Sequence, residues 1–245
     1  MRSRWRLVLV GGLTLLAGLI IFFPARIAYD WFAPPALKLA GIDGSVWYGS
    51  AAEASAGGIY LRDLQWRAQV LGLLAGKLGY SIAASPVSGF IEGDVALSPL
   101  GKLTVRDLTG ALPLTALRQL LNNPRLEGSL SVQLVELHAE DGVPLSADGS
   151  FEIAKLVNPA WHPYSLGGYR ATIATEDDGV VVVVEETDGV VDIDGNLKIA
   201  ADGSFQFIAL LLATNNTPPR IRQAIDYLPF ADDGVRRIYR FEGRI

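Results

Sequence analysis

The chain has 245 residues, a formal net charge of −5, no cysteine, 26 glycines and 13 prolines. The missing cysteines exclude a disulfide framework, a thiolate metal site and a cysteine nucleophile. The acidic balance argues against a nucleic-acid surface and against a polybasic grip on anionic lipid headgroups. Heavy glycine and proline usage points away from a helical bundle.

Residues 7–23 form an uncharged run in which twelve side chains are Leu, Ile, Val or Phe. As a helix it is about 25 Å long, a little short of a hydrocarbon core, and flanking residues up to Ala28 can supply the missing length. Leu7, Leu9, Leu13, Leu16, Leu19, Ile20, Phe22 and Phe23 are the expected anchor side chains. Arg2, Arg4 and Arg6 precede the run, whereas only Arg26, offset by Asp30, closely follows it. The positive-inside rule keeps residues 1–6 in the cytoplasm, uses residues 7–28 as a transmembrane signal anchor and exports residues 29–245. A cleaved signal peptide is the competing reading. Cleavage after Ala25, Ala28 or Ala33 would put Phe23, Arg26 or Trp31 at the minus-three position, and none of these is small.

Beyond the anchor, Gly41–Gly49 reads as a turn feeding a short strand, with Trp47 as a core anchor. Ile59–Trp66 alternates as a strand and slips phase near Asp63-Leu64, the mark of a bulge. Val70–Ala75 is a helical turn or the entry to a strand over residues 76–84. A repeated unit follows, in which a glycine opens a run with apolar residues at alternate positions. Its clearest copy starts at Gly128, with Leu130, Val132 and Leu134 on one face and Ser129, Ser131 and Gln133 on the other. Val135 and Leu137 then change phase. Val191, Ile193, Leu197 and Ile199 share a parity, with Asp192, Asp194, Asn196 and Lys198 facing away. This is half-buried antiparallel sheet. Asp-Gly pairs at Asp141, Asp148, Asp178, Asp188 and Asp202 supply turn chemistry. Val180–Val184 is apolar on both faces and is expected in a central or covered strand. Leu112–Asn122 and Pro218–Leu228 carry helical periodicity. A last strand covers Arg236–Ile245. The expected fold is all-β and mainly antiparallel, either a sandwich or a curled groove-like sheet, with two short helices and one N-terminal transmembrane helix.

Chemistry-bearing patterns are sparse. His138 and His162 are the two histidines, and neither sits in a ligand-spaced cluster. There is no Gly-x-Ser-x-Gly elbow, Walker loop, dinucleotide fingerprint or calcium loop. The acidic pairs lie beside glycines and read as turns. The expectation is a non-enzyme with no catalytic residue, no metal and no cofactor.

Several stretches, taken in order, resemble the type II secretion system protein N family. They are Gly44-Ser45-Val46-Trp47-Tyr48-Gly49, Leu64-x-Trp66, Leu71-x-Leu73-Leu74-x-Gly76, Asp107-Leu108-x-Gly110-x-Leu112-Pro113 and Leu126-x-Gly128-x-Leu130. Leu166-Gly167-x-Tyr169, Asp188-Gly189, Asp233-Gly234-x-Arg236 and Gly243 complete the series. The resemblance implies a bacterial inner-membrane protein with a periplasmic β domain. It further implies a partner of other type II secretion subunits, which move folded proteins from the periplasm across the outer membrane. Gly44, Trp47, Gly49, Trp66, Gly128 and Gly234 match the family pattern and read as fold determinants. The alternative is a periplasmic lipid-binding or lipid-bridging protein whose groove is lined by residues such as Phe205, Phe207, Val191 and Ile193. It would take lipid as its ligand.

Overall fold

The computed structural model describes residues 2–35, 37–73, 76, 78–86, 88–98, 101–117, 125–159 and 164–245, with only the backbone of residues 2–9, 56 and 71. Two helices lead. α1 (Arg2–Ile21) follows the apolar run, and α2 (Ala25–Phe32) follows after a break. The expectation of one helix through Ala28 is corrected here. Pro24 has no amide to continue the ladder and disfavours helical geometry at Phe23, so the chain turns and restarts. Among the described residues no helix is long and apolar enough to cross a membrane. The side chains of residues 2–9, which belong to α1, lie outside that description.

Among the described residues thirteen strands follow. They are β1 (Leu37–Gly44), β2 (Tyr48–Ala56), β3 (Ile59–Ala68), β4 (Leu78–Ser85), β5 (Phe90–Leu97) and β6 (Leu103–Pro113). Then come β7 (Glu127–Glu140), β8 (Val143–Val157), β9 (Tyr169–Glu176) and β10 (Gly179–Glu186). β11 (Val191–Ala200), β12 (Ser204–Ala213) and β13 (Arg237–Arg244) close the series. A helical turn, α3 (Val70–Leu73), precedes β4, and α4 (Pro219–Asp226) precedes β13. All thirteen strands form one sheet in sequence order, each hydrogen-bonded to its neighbours in the chain. Of the two expected architectures the sandwich is therefore not the one adopted.

The register makes one face apolar. A row crosses eight strands through Leu108, Leu134, Gly149, Ile173, Val182, Leu197, Phe207 and Phe241. The neighbouring row begins Thr109, Gln133, Ser150, Thr172 and faces the other way. On that polar side Arg106 meets Glu136 at 2.6 Å, Arg170 meets Glu152 at 2.9 Å and Lys102 meets Glu140 at 3.1 Å. Exposed pairs of this kind add at most about 1 kcal/mol each, so burial of the apolar face carries the stability. Val180 and Val181 are buried, as the two-sided apolar run requires.

A sheet of this width curls rather than staying flat. Register shifts at Arg62/Gln65, Glu92/Asp94 and Leu134/Glu136 mark bulges, which bend a strand and increase its twist. Two of these bulges lie at the phase changes read from Asp63 and Val135. The curl brings Ile59 of β3 against a core formed at the end of β6 and just beyond it by Leu112, Leu114 and Leu117, with Leu130 and Ile153.

Three sequence expectations change. The helix placed on Leu112–Asn122 is a strand to Pro113 and a 3-10 turn over Leu114–Leu117, and residues 118–124 lie outside the described residues. Leu112 pairs with Leu130 and is buried, so sheet pairing overrides the helical spacing. Asp148-Gly149 is no turn but lies within β8, opposite Glu136 and Leu134. The hairpin closes earlier, at Asp141-Gly142, where both residues have positive φ. Finally, β1 begins at Leu37, so Gly41–Gly44 is strand and only Ser45–Trp47 bends.

Candidate functional site

Four of the six family-pattern residues meet where the leading helices join the sheet. Gly44 ends β1 with φ +89°, and a Cβ there would lie 2.6 Å from the Tyr48 carbonyl oxygen and 2.7 Å from Gly49 Cα. A Cβ on Gly49 would lie 2.5 Å from Trp66 Cζ2 and 2.6 Å from the Asp43 carbonyl oxygen. Gly44 thus lets the two strands of the hairpin close, and Gly49 makes room for the Trp66 ring, whose Nε1 donates to the Ser45 carbonyl at 3.1 Å. Trp47 is half-buried, not the core anchor expected. Its Nε1 donates to the Ile20 carbonyl at 2.7 Å, near the C-terminus of α1, where carbonyls lack an i+4 partner within the helix. The Val46 amide donates to the Phe23 carbonyl at 3.1 Å, and Pro24 bridges to Ser45. The bend between β1 and β2 is therefore a clasp on the exit of α1. Gly128 opens β7 and Gly234 lies in the turn before β13, both at positive φ and outside this clasp.

Anchor side chains Leu13, Leu16, Leu19, Ile20 and Phe22 are 52–78% exposed, while the side chains of Leu7 and Leu9 lie outside the description. Phe23 is half-buried. The helix leaves the sheet with its apolar surface bare.

The two sheet edges differ. At β1 the Tyr29 hydroxyl of α2 accepts from the Leu39 amide at 3.1 Å and donates to the Leu37 carbonyl at 3.3 Å. The Leu37 amide donates to Pro34, and the Arg26 guanidinium donates to the Ile42 carbonyl at 3.4 Å. α2 thus covers that edge. Sequence reading missed this role because the anchor was extended to Ala28, which divides Ala25 and Ala28 from Tyr29 and Phe32, although the four share a helical spacing. At β13 the Ile238 amide points away from β12 and donates to Pro229 at 2.9 Å. By strand alternation the amides of Arg240 and Glu242 point the same way, and among the described residues nothing pairs with them. Arg237 ties the start of this strand to α4. Its guanidinium stacks 3.6 Å over the Phe230 ring, donates to the Leu228 carbonyl at 2.9 Å and lies 3.8 Å from Asp226. In the adjoining turn Asp233 takes hydrogen bonds from the Arg236 guanidinium and from the Val235 and Arg236 amides, which hold its carboxyl at about 2.

Among the described residues His138 is the one histidine. His138 Nδ1 is 3.2 Å from the Ser146 hydroxyl and its Nε2 is 3.6 Å from Glu136. His162 lies outside the described residues. Of the residues suggested for a groove, Val191 is buried, whereas Ile193, Phe205 and Phe207 are half-buried, with Phe205 5.7 Å from Phe241 and Phe207 6.3 Å from Tyr239, centroid to centroid.

The family model for the type II secretion system (T2SS), protein N, matches residues 35–238. The chain belongs to that family. A similar curated protein is "Type II secretion system protein N" of Vibrio cholerae serotype O1 (strain ATCC 39315 / El Tor Inaba N16961). It is 22% identical over 249 residues, which cover 94% of this chain and 94% of the relative. No solved structure matches. The matched region takes in β1 to β12 and the first two residues of β13, so the resemblance read from scattered motifs extends across the fold.

Proposed function

We propose that this protein is a non-enzymatic, inner-membrane-anchored subunit of a type II secretion system, acting through contacts of its periplasmic sheet. Residues 1–6 stay in the cytoplasm, residues 7–28 carry the anchor, and residues 29–245 form the periplasmic domain. Family membership supports the assignment to secretion. The bare apolar surface of α1 supports the anchor, because such a surface is stable in lipid and costly in water. The arginines before it set the orientation.

The observation that carries the subunit reading is the inequality of the edges. α2 seals β1, while β13 offers outward amides and carbonyls to an added strand of another subunit. In this reading Gly44, Trp47, Gly49 and Trp66 hold the sheet to its anchor rather than bind a ligand, and Gly128 and Gly234 shape turns and strand entries. Two measurements test it. In a strain lacking the protein, folded exoproteins should accumulate in the periplasm with envelope permeability unchanged. Normal secretion with a leaky envelope would refute the primary role. A Glu242→Pro variant removes one outward amide and should leave the protein folded yet fail to restore secretion. Full restoration would refute β13 as the docking edge.

A further inference from the structure

The apolar face is not filled everywhere. Between α2 and the first five strands lies a hollow of about 520 Å³. Ala25 and Ala28 of α2 form one wall, and Leu39, Leu64, Ile82 and Val95 are among the sheet residues opposite. Its size is that of a small-molecule site, for which about 300–1,000 Å³ is usual. Every lining residue is apolar or aromatic, and the two alanines leave the space open where larger side chains would close it.

Position selects the occupant. The hollow adjoins the clasp: Val46, whose amide bonds Phe23 at the exit of α1, also lines it, as does Trp66. A helix exit marks the bilayer surface, so the hollow opens beside the headgroup layer. Arg26 stands next to it, its guanidinium on the carbonyl of Ile42, whose side chain is part of the wall. A cation at the lip and an apolar interior match a phosphodiester headgroup and its hydrocarbon tail. A soluble polar metabolite would find nothing inside to replace its hydration.

We propose that the hollow receives one acyl chain of a phospholipid drawn from the bilayer that α1 occupies. This rests on the anchor reading above. The chain would be held by area burial alone, with Arg26 placing the phosphate.

The full chain in vesicles of phosphatidylethanolamine and phosphatidylglycerol, doped with a phosphatidylethanolamine carrying a mid-chain diazirine, tests this. After irradiation, labelled peptides are mapped. The expected result is label on peptides of β1–β5 as well as on α1. Ala28→Trp, and independently Val95→Trp, should lower the β1–β5 label at least fivefold and leave the α1 label unchanged. Because two variants fill the hollow from opposite walls, a folding defect in one does not decide the outcome. Label on α1 alone in the unaltered protein overturns the hollow and keeps the anchor. Label on neither, with the protein extracted by alkaline carbonate, overturns the anchor and this inference with it. β1–β5 label unaffected by both fillings means that the lipid lies elsewhere on the sheet and overturns the assignment. An apolar peptide segment that protects the lining residues from label in the presence of other secretion subunits would also overturn it.

Discussion

Gly49→Ala is the sharpest perturbation of the clasp. Gly49 is buried and its φ is not in the left-handed region, so the substitution meets no backbone strain of its own. The whole cost is collision: the new methyl would sit 2.5 Å from Trp66 Cζ2, 2.9 Å from Cε2 and 2.6 Å from the Asp43 carbonyl oxygen. Overpacking of this kind costs about 1–3 kcal/mol. Displacing the ring also loosens the Trp66–Ser45 hydrogen bond, worth about 1 kcal/mol. A loss of about 3 kcal/mol is expected. At a slope near 3 kcal/mol/M it moves the urea midpoint down by about 1 M. Tryptophan emission of the full chain in detergent micelles follows the transition. Gly18→Ala in α1 is the control: a Cβ there has nothing within 4 Å, and alanine is the better helix former by about 1 kcal/mol. The ring and the Asp43 carbonyl separate in a double-mutant cycle. With Trp66→Leu in place, Gly49→Ala should cost about 1–2 kcal/mol less, the part that belongs to the ring. A midpoint shift below about 0.3 M, or strict additivity with Trp66→Leu, would refute the packing account.

Removing the hydroxyl with Tyr29→Phe unseals β1. Two hydrogen bonds are lost at a half-buried site, a cost of about 1–2 kcal/mol, and hydrogen exchange at the Leu39 amide should accelerate about tenfold; unchanged exchange would show that α2 does not cover the edge. Leu114 is 2% exposed in the core beyond β6, so Leu114→Ala should cost about 2–5 kcal/mol in urea unfolding. A cost below 1 kcal/mol would mean that the turn over Leu114–Leu117 is dispensable. Asp233 should titrate near 2 by carbon NMR, below its ordinary 3.8. Because the ionised form is the one favoured in the fold, its stabilisation is complete above about pH 4 and is lost as the pH falls from there to about 2. In Arg236→Gln the titration should move back toward 3.8, and a titration that stays put would assign the shift to the backbone amides instead.

The sequence by itself determined the antiparallel strands, and the tertiary structure decided that they form one sheet rather than a sandwich. Alternation at Leu130, Val132 and Leu134, and the turn at Asp141-Gly142, are local signals with a period of two, and they survive folding because each strand pairs with its chain neighbours. The bulges at Asp63 and Val135 were legible for the same reason, as one-residue slips in that period. The family, too, was legible, because its scattered glycines and tryptophans sit at fixed places along a meander. What only the tertiary structure decided depends on contacts between residues far apart in the chain. Helical spacing over Leu112–Asn122 gave way to pairing of Leu112 with Leu130 across the sheet. Trp47 looked like core because tryptophans usually are, but its partner is Ile20, twenty-seven residues earlier. That Tyr29 closes one edge while β13 stays open, and that two small alanines leave a hollow beneath α2, follow from how the leading helix folds back after Pro24. No periodicity encodes that direction. The curl of the sheet, summed from several bulges, fixes where α2 lands, and with it which edge and which part of the apolar face remain available.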